Sequence, residues 1–239
     1  MHVSLGARRS APNLEGPDQL NLIHEPRPYP AQASLHRDLV AFDIAGFGKP
    51  ERDELVQLYV RDALYRIVPH AFDSSGIGWR SCHHEDRGDG MLIVISPHVP
   101  TAALIDPLLD LLRAGIRSHN RLSCPSAAIG LRMAVHGGHV HYDPYGLAGD
   151  AIVHLFRLLD AAQLKDALAI TGAELSLIVS SYVHDTVIRN GPGLIDPASY
   201  HPVEVNTKQA HARAWVHIPG RRPAVPGGID IVPDGARFN

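Results

Sequence analysis

Apolar residues fall into short blocks whose spacing changes along the chain, and the changes mark out elements. LVAFDIAGF (39–47) is an apolar run closed by glycine, which predicts a buried strand. Residues 51–72 switch to a helical period, with Val56, Val60, Leu64, Ile67 and Val68 on one face. WRSCHHED and GMLIVISP then predict two strands around Arg87-Gly88-Asp89-Gly90, where Asp-Gly favours a tight turn. A second helix over 101–119 puts Leu104, Leu108, Leu111 and Leu112 in register. IGLRMAVHGGHVHYD predicts two more strands, joined at Gly137-Gly138. A third helix starts near Gly149, with Ile152, Leu155, Phe156 and Leu159 spaced to face a core. LSLIVSS reads as a strand, 182–189 as a short helix, and VEVN with HARAWVHIP as a closing hairpin.

The opening order is strand, helix, strand, strand, helix, strand. It predicts an α+β protein: a ferredoxin-like (βαββαβ) sandwich with C-terminal additions. The packed domain is expected over 37–219. Residues 1–36 are rich in Pro, Asn, Gln and Gly without a hydrophobic period and read as a flexible arm. Residues 220–239 read as a Pro/Gly-rich tail, with one short extended piece at 229–232.

Composition narrows the partners. The formal net charge of -3 over 239 residues gives no basic footprint for nucleic acid. No apolar run approaches the roughly 20 residues that span a bilayer, and the N-terminus lacks a secretory pattern. Two cysteines, Cys82 and Cys124, are too few for a disulfide scaffold, so a cytoplasmic location is expected.

Two carboxylates could do chemistry together. Asp43 ends the first strand and Asp89 sits in the hairpin turn, and a ferredoxin-like sheet sets those strands side by side. Such a pair suits Mg²⁺ or Mn²⁺, which take oxygen ligands and water. The turn after Asp43, Ala45-Gly46-Phe47-Gly48, leads towards a helix, and its N–H groups could cradle a polyphosphate.

FDIAGFG (42–48) resembles the metal-binding strand and turn of the class III nucleotidyl cyclases, the adenylate and guanylate cyclases. RGDGMLIVI (87–95) resembles their second metal hairpin, and LRMAVHGGHV (131–140) the strand region that follows. GDAIVHLFRLLD (149–160) is similar to their helix bearing an Asn and, four residues on, an Arg. The four motifs are collinear and span most of residues 39–215.

The resemblance implies a reaction, a nucleoside triphosphate going to a 3′,5′-cyclic nucleotide and pyrophosphate. It implies two Mg²⁺ or Mn²⁺ ions held by Asp43, the Ile44 backbone and Asp89, and a triphosphate on Gly46, Phe47 and Gly48. Arg157 falls on the transition-state arginine, and Lys208 lies near the triphosphate lysine. Sites at a subunit interface imply a homodimer. Base recognition falls on Glu85, four residues before Asp89, and on Gly146, three before Gly149. Guanylyl cyclases carry Glu at the first of these, which leans towards GTP; a pyrimidine nucleotide stays open.

One departure bears on activity. The ribose-orienting Asn falls on Val153, which has neither donor nor acceptor. The alternative expectation is therefore a degraded cyclase-like domain that binds nucleotide or a partner without turnover. Plainer readings also stand. Asp43 could be a surface carboxylate, Asp89 an ordinary turn residue, and Arg157 the partner of Asp150 or Asp160 on its own helix. His136, His139 and His141, and the run His83-His84-Glu85-Asp86, invite a zinc reading, but no Cys joins them and structural or solvent roles are expected.

Overall fold

Alternation along one central strand decides which side chains meet the helices and which face the site. The computed structural model describes residues 34–144, 146–207 and 210–221. The strand is β1 (Leu35–Ile44). It is followed by α1 (Glu54–Ser74), β2 (His83–Asp86), β3 (Gly90–Val94), α2 (Leu108–Leu122) and β4 (Leu131–Asp143). Then come β5 (Gly146–Ala148), α3 (Asp150–Leu159), α4 (Ala162–Thr171), β6 (Leu175–Ser180), α5 (Ser181–Thr186), β7 (His201–Thr207) and β8 (Ala210–His217).

The strands join in the order β2-β3-β1-β4-β6-β8-β7, with β5 paired to the far end of β4. The first four are antiparallel neighbours in the ferredoxin-like order, as the sequence predicts. The parallel β4–β6 pair and the β7–β8 hairpin are the C-terminal additions.

Two cores form, one on each face of the sheet. Val40, Phe42 and Ile44 of β1 pack with Val60, Leu64, Val68 and Phe72 of α1 and with Leu108, Leu112 and Ile116 of α2. Leu39 and Ala41 face the other way, against Ile152, Leu155 and Leu158 of α3. Asp43 shares the parity of Leu39 and Ala41, so it belongs to the α3 face.

Four expectations need correction. Gly137 and Gly138 do not separate two strands; β4 runs unbroken through both. Their missing side chains make room instead: a Cβ on Gly137 would lie 2.3 Å from Tyr182 Cε1, and one on Gly138 2.7 Å from Ala151 Cβ. Trp79–Ser81 is a 3₁₀ turn, and only His83–Asp86 forms the strand. The second helix is likewise split, with a 3₁₀ turn at Thr101–Leu104 before α2 opens at Leu108. A further helix, α4, stands between α3 and β6 where none is expected. The expected arm before residue 34 and the 229–232 piece lie outside the described residues.

His136 is enclosed on the α3 face. Its Nδ1 is 2.9 Å from Ser180 Oγ on β6, and its ring meets that of His154 on α3 edge-on at 4.7 Å. Burial, then the nearness of His154 and of His36 on β1, pushes its pKa from 6.5 down to about 4.

Two outcomes are expected. Gly90→Ala would put a Cβ 1.9 Å from the Phe42 carbonyl oxygen, so urea unfolding should show a loss of at least about 1–3 kcal/mol; an unchanged midpoint would mean that β1 and β3 do not approach so closely. His136 takes up its proton less readily in the folded state than in the unfolded one. Its contribution is intact above pH 6.5 and is lost as the pH falls towards about 4. Compared across that window, His136→Gln should lose less stability than the wild type; equal losses would refute the assignment.

Candidate functional site

The register of β1 sets the two acidic residues side by side. Asp43 pairs with Gly90 across the β1–β3 ladder, and the Ile44 N–H donates to the Asp89 carbonyl at 2.9 Å. On its other edge Asp43 lies opposite Arg132 of β4, and Arg132 Nε donates to Asp43 Oδ1 at 2.6 Å. Both side chains are largely buried, 15% and 13% exposed. Burial outweighs that ion pair and lifts Asp43 to about 6, with a smaller push from Asp89. The place is one where negative charge is crowded and short of water.

Beside it, the turn at 45–48 is fixed by backbone bonds. Ala45 N–H donates to Gly130 O at 2.8 Å and Phe47 N–H to Ile44 O at 3.2 Å. Gly46 takes φ +65°, a conformation that favours glycine, and the Lys49 side chain folds within 2.6 Å of where its Cβ would be. Arg52 clamps the turn from behind, donating to the carbonyls of Ala45, Ser126 and Ala128 at 3.3, 3.0 and 2.6 Å. Asp53 then caps α1 by accepting from Val56 N–H at 2.9 Å.

The Asp89 turn has a latch of its own. Asp86 accepts from Gly88 N–H and Tyr65 Oη, both at 2.9 Å, and Arg61 of α1 donates to Asp86 and to the Gly88 carbonyl. The Arg61 hydrogen bond holds the Asp86 carboxyl well below the usual carboxylate range. The hairpin is thus tied to α1 next to the carboxylate pair.

The two positions expected to read a base also come together. A Cβ on Gly146 would stand 3.5 Å from Glu85 Oε1. Glu85 is held at both oxygens, by His83 Nε2 at 3.2 Å and by Arg87 Nη2 at 2.5 Å. Arg87 in turn lies over the Phe156 ring of α3, 5.3 Å from its centroid. On α3, Val153 is 48% exposed and Arg157, one turn on, is half-buried. Asp160 accepts from Lys165 Nζ at 2.6 Å. Lys208 lies outside the described residues.

Sequence reasoning missed Arg132, Lys49, Arg61 and Arg87. Arg132 had a readable signal, since it sits two residues before Ala134 in a strand whose register against Asp43 follows from the fold. The others depend on side-chain paths between elements, which no spacing encodes.

No family model and no curated protein matches the chain. Solved structures do. An adenylate/guanylate cyclase/hydrolase from Silicibacter pomeroyi superimposes with a TM-score of 0.55 at 19% identity, over 79% of this chain and 99% of that one. The guanylate cyclase domain from Catenaria anguillulae, solved in complex with GTP, gives 0.52 at 15%, over 77% and 96%. A monomeric guanylyl cyclase domain from Blastocladiella emersonii gives 0.53 at 14%, over 79% and 97%. The chain therefore has the fold of the class III adenylate and guanylate cyclase domains.

Proposed function

We propose that the protein is a metal-dependent nucleotidyl cyclase, acting as a cytoplasmic homodimer, that converts a nucleoside triphosphate into a 3′,5′-cyclic nucleotide and pyrophosphate. The observation that carries this reading is the close approach of Asp43 and Asp89 beside a clamped glycine turn. Among the described residues no group of three or more His, Cys, Asp and Glu stands ready to hold a metal. Two carboxylates and a backbone carbonyl nevertheless fit Mg²⁺ or Mn²⁺, which keep several waters and complete their shell with substrate phosphates.

Asp43, Asp89 and the Ile44 carbonyl would hold the metal. Bound there, it would favour ionisation of the ribose 3′-hydroxyl and offset the triphosphate charge. The 3′-oxygen attacks the α-phosphorus in line, the bond from that phosphorus to the β-phosphate bridging oxygen breaks, and pyrophosphate leaves. Gly46, Phe47 and Gly48 line the turn against the phosphates, while Lys208 adds charge. Arg132, bonded to Asp43, stands ready to turn to a phosphate oxygen when that carboxylate turns to the metal. Arg157 from the second copy would stabilise the charge that builds on the α-phosphate. Glu85, steadied by Arg87 and His83, would accept from the N–H edge of a base, which favours GTP.

A second reading, nucleotide binding without turnover, is favoured by Val153, an exposed apolar side chain where the family carries the ribose-orienting Asn. His154 does not replace it, because its ring packs against His136.

The deciding assay offers the purified protein Mn²⁺ with ATP, GTP, CTP or UTP and looks for cyclic product by mass spectrometry. Product from one nucleotide, reduced about 10²-fold or more in Asp43→Ala with the fold retained, is the expected result. Unchanged turnover in that variant would overturn the metal assignment. Val153→Asn should raise the rate about tenfold or more by restoring a positioned donor. Tight nucleotide binding with no product from any of the four would establish the second reading.

A further inference from the structure

Two polar side chains are fully buried among the described residues, Ser176 and Ser180, and both lie on β6. They share the parity of Ile178, so both point to the α3 face. Ser180 is accounted for: its Oγ meets His136 Nδ1 at 2.9 Å and accepts from Val183 N–H at 3.4 Å. Ser176 is not. It is 0% exposed, and among the described residues its Oγ is the one buried side-chain nitrogen or oxygen without a hydrogen-bond partner. Alanine would fill the same place without stranding a hydroxyl, and a buried polar group left unmet carries the full cost of its lost hydration.

Its neighbours in the sheet show what could meet it. In the parallel β4–β6 ladder Ser176 lies opposite Arg132, and in the antiparallel β1–β4 ladder Arg132 lies opposite Asp43. The three form one row across the α3 face, on strands about 4.8 Å apart. Arg132 is drawn to the β1 side, where its Nε donates to Asp43, and it makes no bond to Ser176. A buried guanidinium deprived of its carboxylate is costly, so whatever takes Asp43 away must leave Arg132 another acceptor. Asp89, beyond Asp43 on the β3 side, would be engaged by the same metal. Ser176 stands on the other side of Arg132 with its oxygen unused.

We propose that Ser176 is a positioning residue for Arg132: when Asp43 turns to the metal, the guanidinium turns to the Ser176 hydroxyl. That oxygen accepts one of the five N–H groups and leaves the others to face the triphosphate. What draws Asp43 away rests on the cyclase reading, whereas the pairing of Arg132 with Ser176 rests on the row itself.

The first test therefore needs no ligand. Ser176→Ala is placed in the wild type and in Asp43→Ala, and urea unfolding is followed without metal, as a double-mutant cycle. In the wild type the midpoint should stay unchanged or rise, because a stranded hydroxyl is removed. In Asp43→Ala, where Arg132 has turned to Ser176, the midpoint should fall by roughly 0.5 M. Equal shifts in the two backgrounds would overturn the proposal. A second measurement does not depend on Asp43→Ala folding. Calorimetric titration of the full-length protein with Mn²⁺ and GTP should show binding about fivefold or more weaker in Ser176→Ala, and recovered in Ser176→Thr, which restores the hydroxyl. An affinity untouched by Ser176→Ala would equally overturn it. Coupling in the cycle from a protein that binds no nucleotide would uphold Ser176 as the partner of Arg132 and overturn the cyclase reading instead.

Discussion

β1 is hydrogen-bonded along both edges, and its register against β3 and β4 is the constraint on which the site depends. That register sets Asp43 opposite Gly90 on one side and Arg132 on the other. A slip of one residue would turn Asp43 towards Phe72 and Leu64 and carry Phe42 to the α3 face in its place. The alternating burial of Val40, Phe42 and Ile44 against α1 and α2, and of Leu39 and Ala41 against α3, resists that slip. Packing on two faces therefore fixes the position of a carboxylate that burial alone would disfavour.

Much of this was legible in the chain because the relevant signals are local. The βαββαβ order, the helical face of α1 and the Asp-Gly turn all follow from spacing and turn chemistry. The approach of Asp43 to Asp89 follows from the strand order. Gly137-Gly138 misled because glycine marks turns and close packing equally, and only Tyr182 and Ala151, distant in sequence, tell which applies. The clamp of Arg52, the latch of Arg61 and the hold of Arg87 on Glu85 were beyond reach for the same reason. α4 was overlooked because half of its apolar residues are alanine and they mark no clear face, with only Leu164 and Leu168 buried.

The two faces of the sheet have different chemistry. The α3 face gathers small and polar side chains near β1 and β4, among them Ala41, Ala134, Gly138 and His136, so that α3 can lie close. The opposite face is filled by large aliphatic and aromatic groups from α1 and α2.

The strand order has a consequence for how copies of the chain can meet. At one end of the sheet β2 is only four residues long and carries charged side chains; at the other, β7 carries Pro202 and Glu204. Short, charged or proline-bearing borders are poor templates for adding another strand. Growth of the sheet from molecule to molecule is discouraged at both ends, which lowers the tendency to fibrillar aggregation. Any contact between copies is thereby steered to side-chain surfaces, whose geometry can be specific and finite.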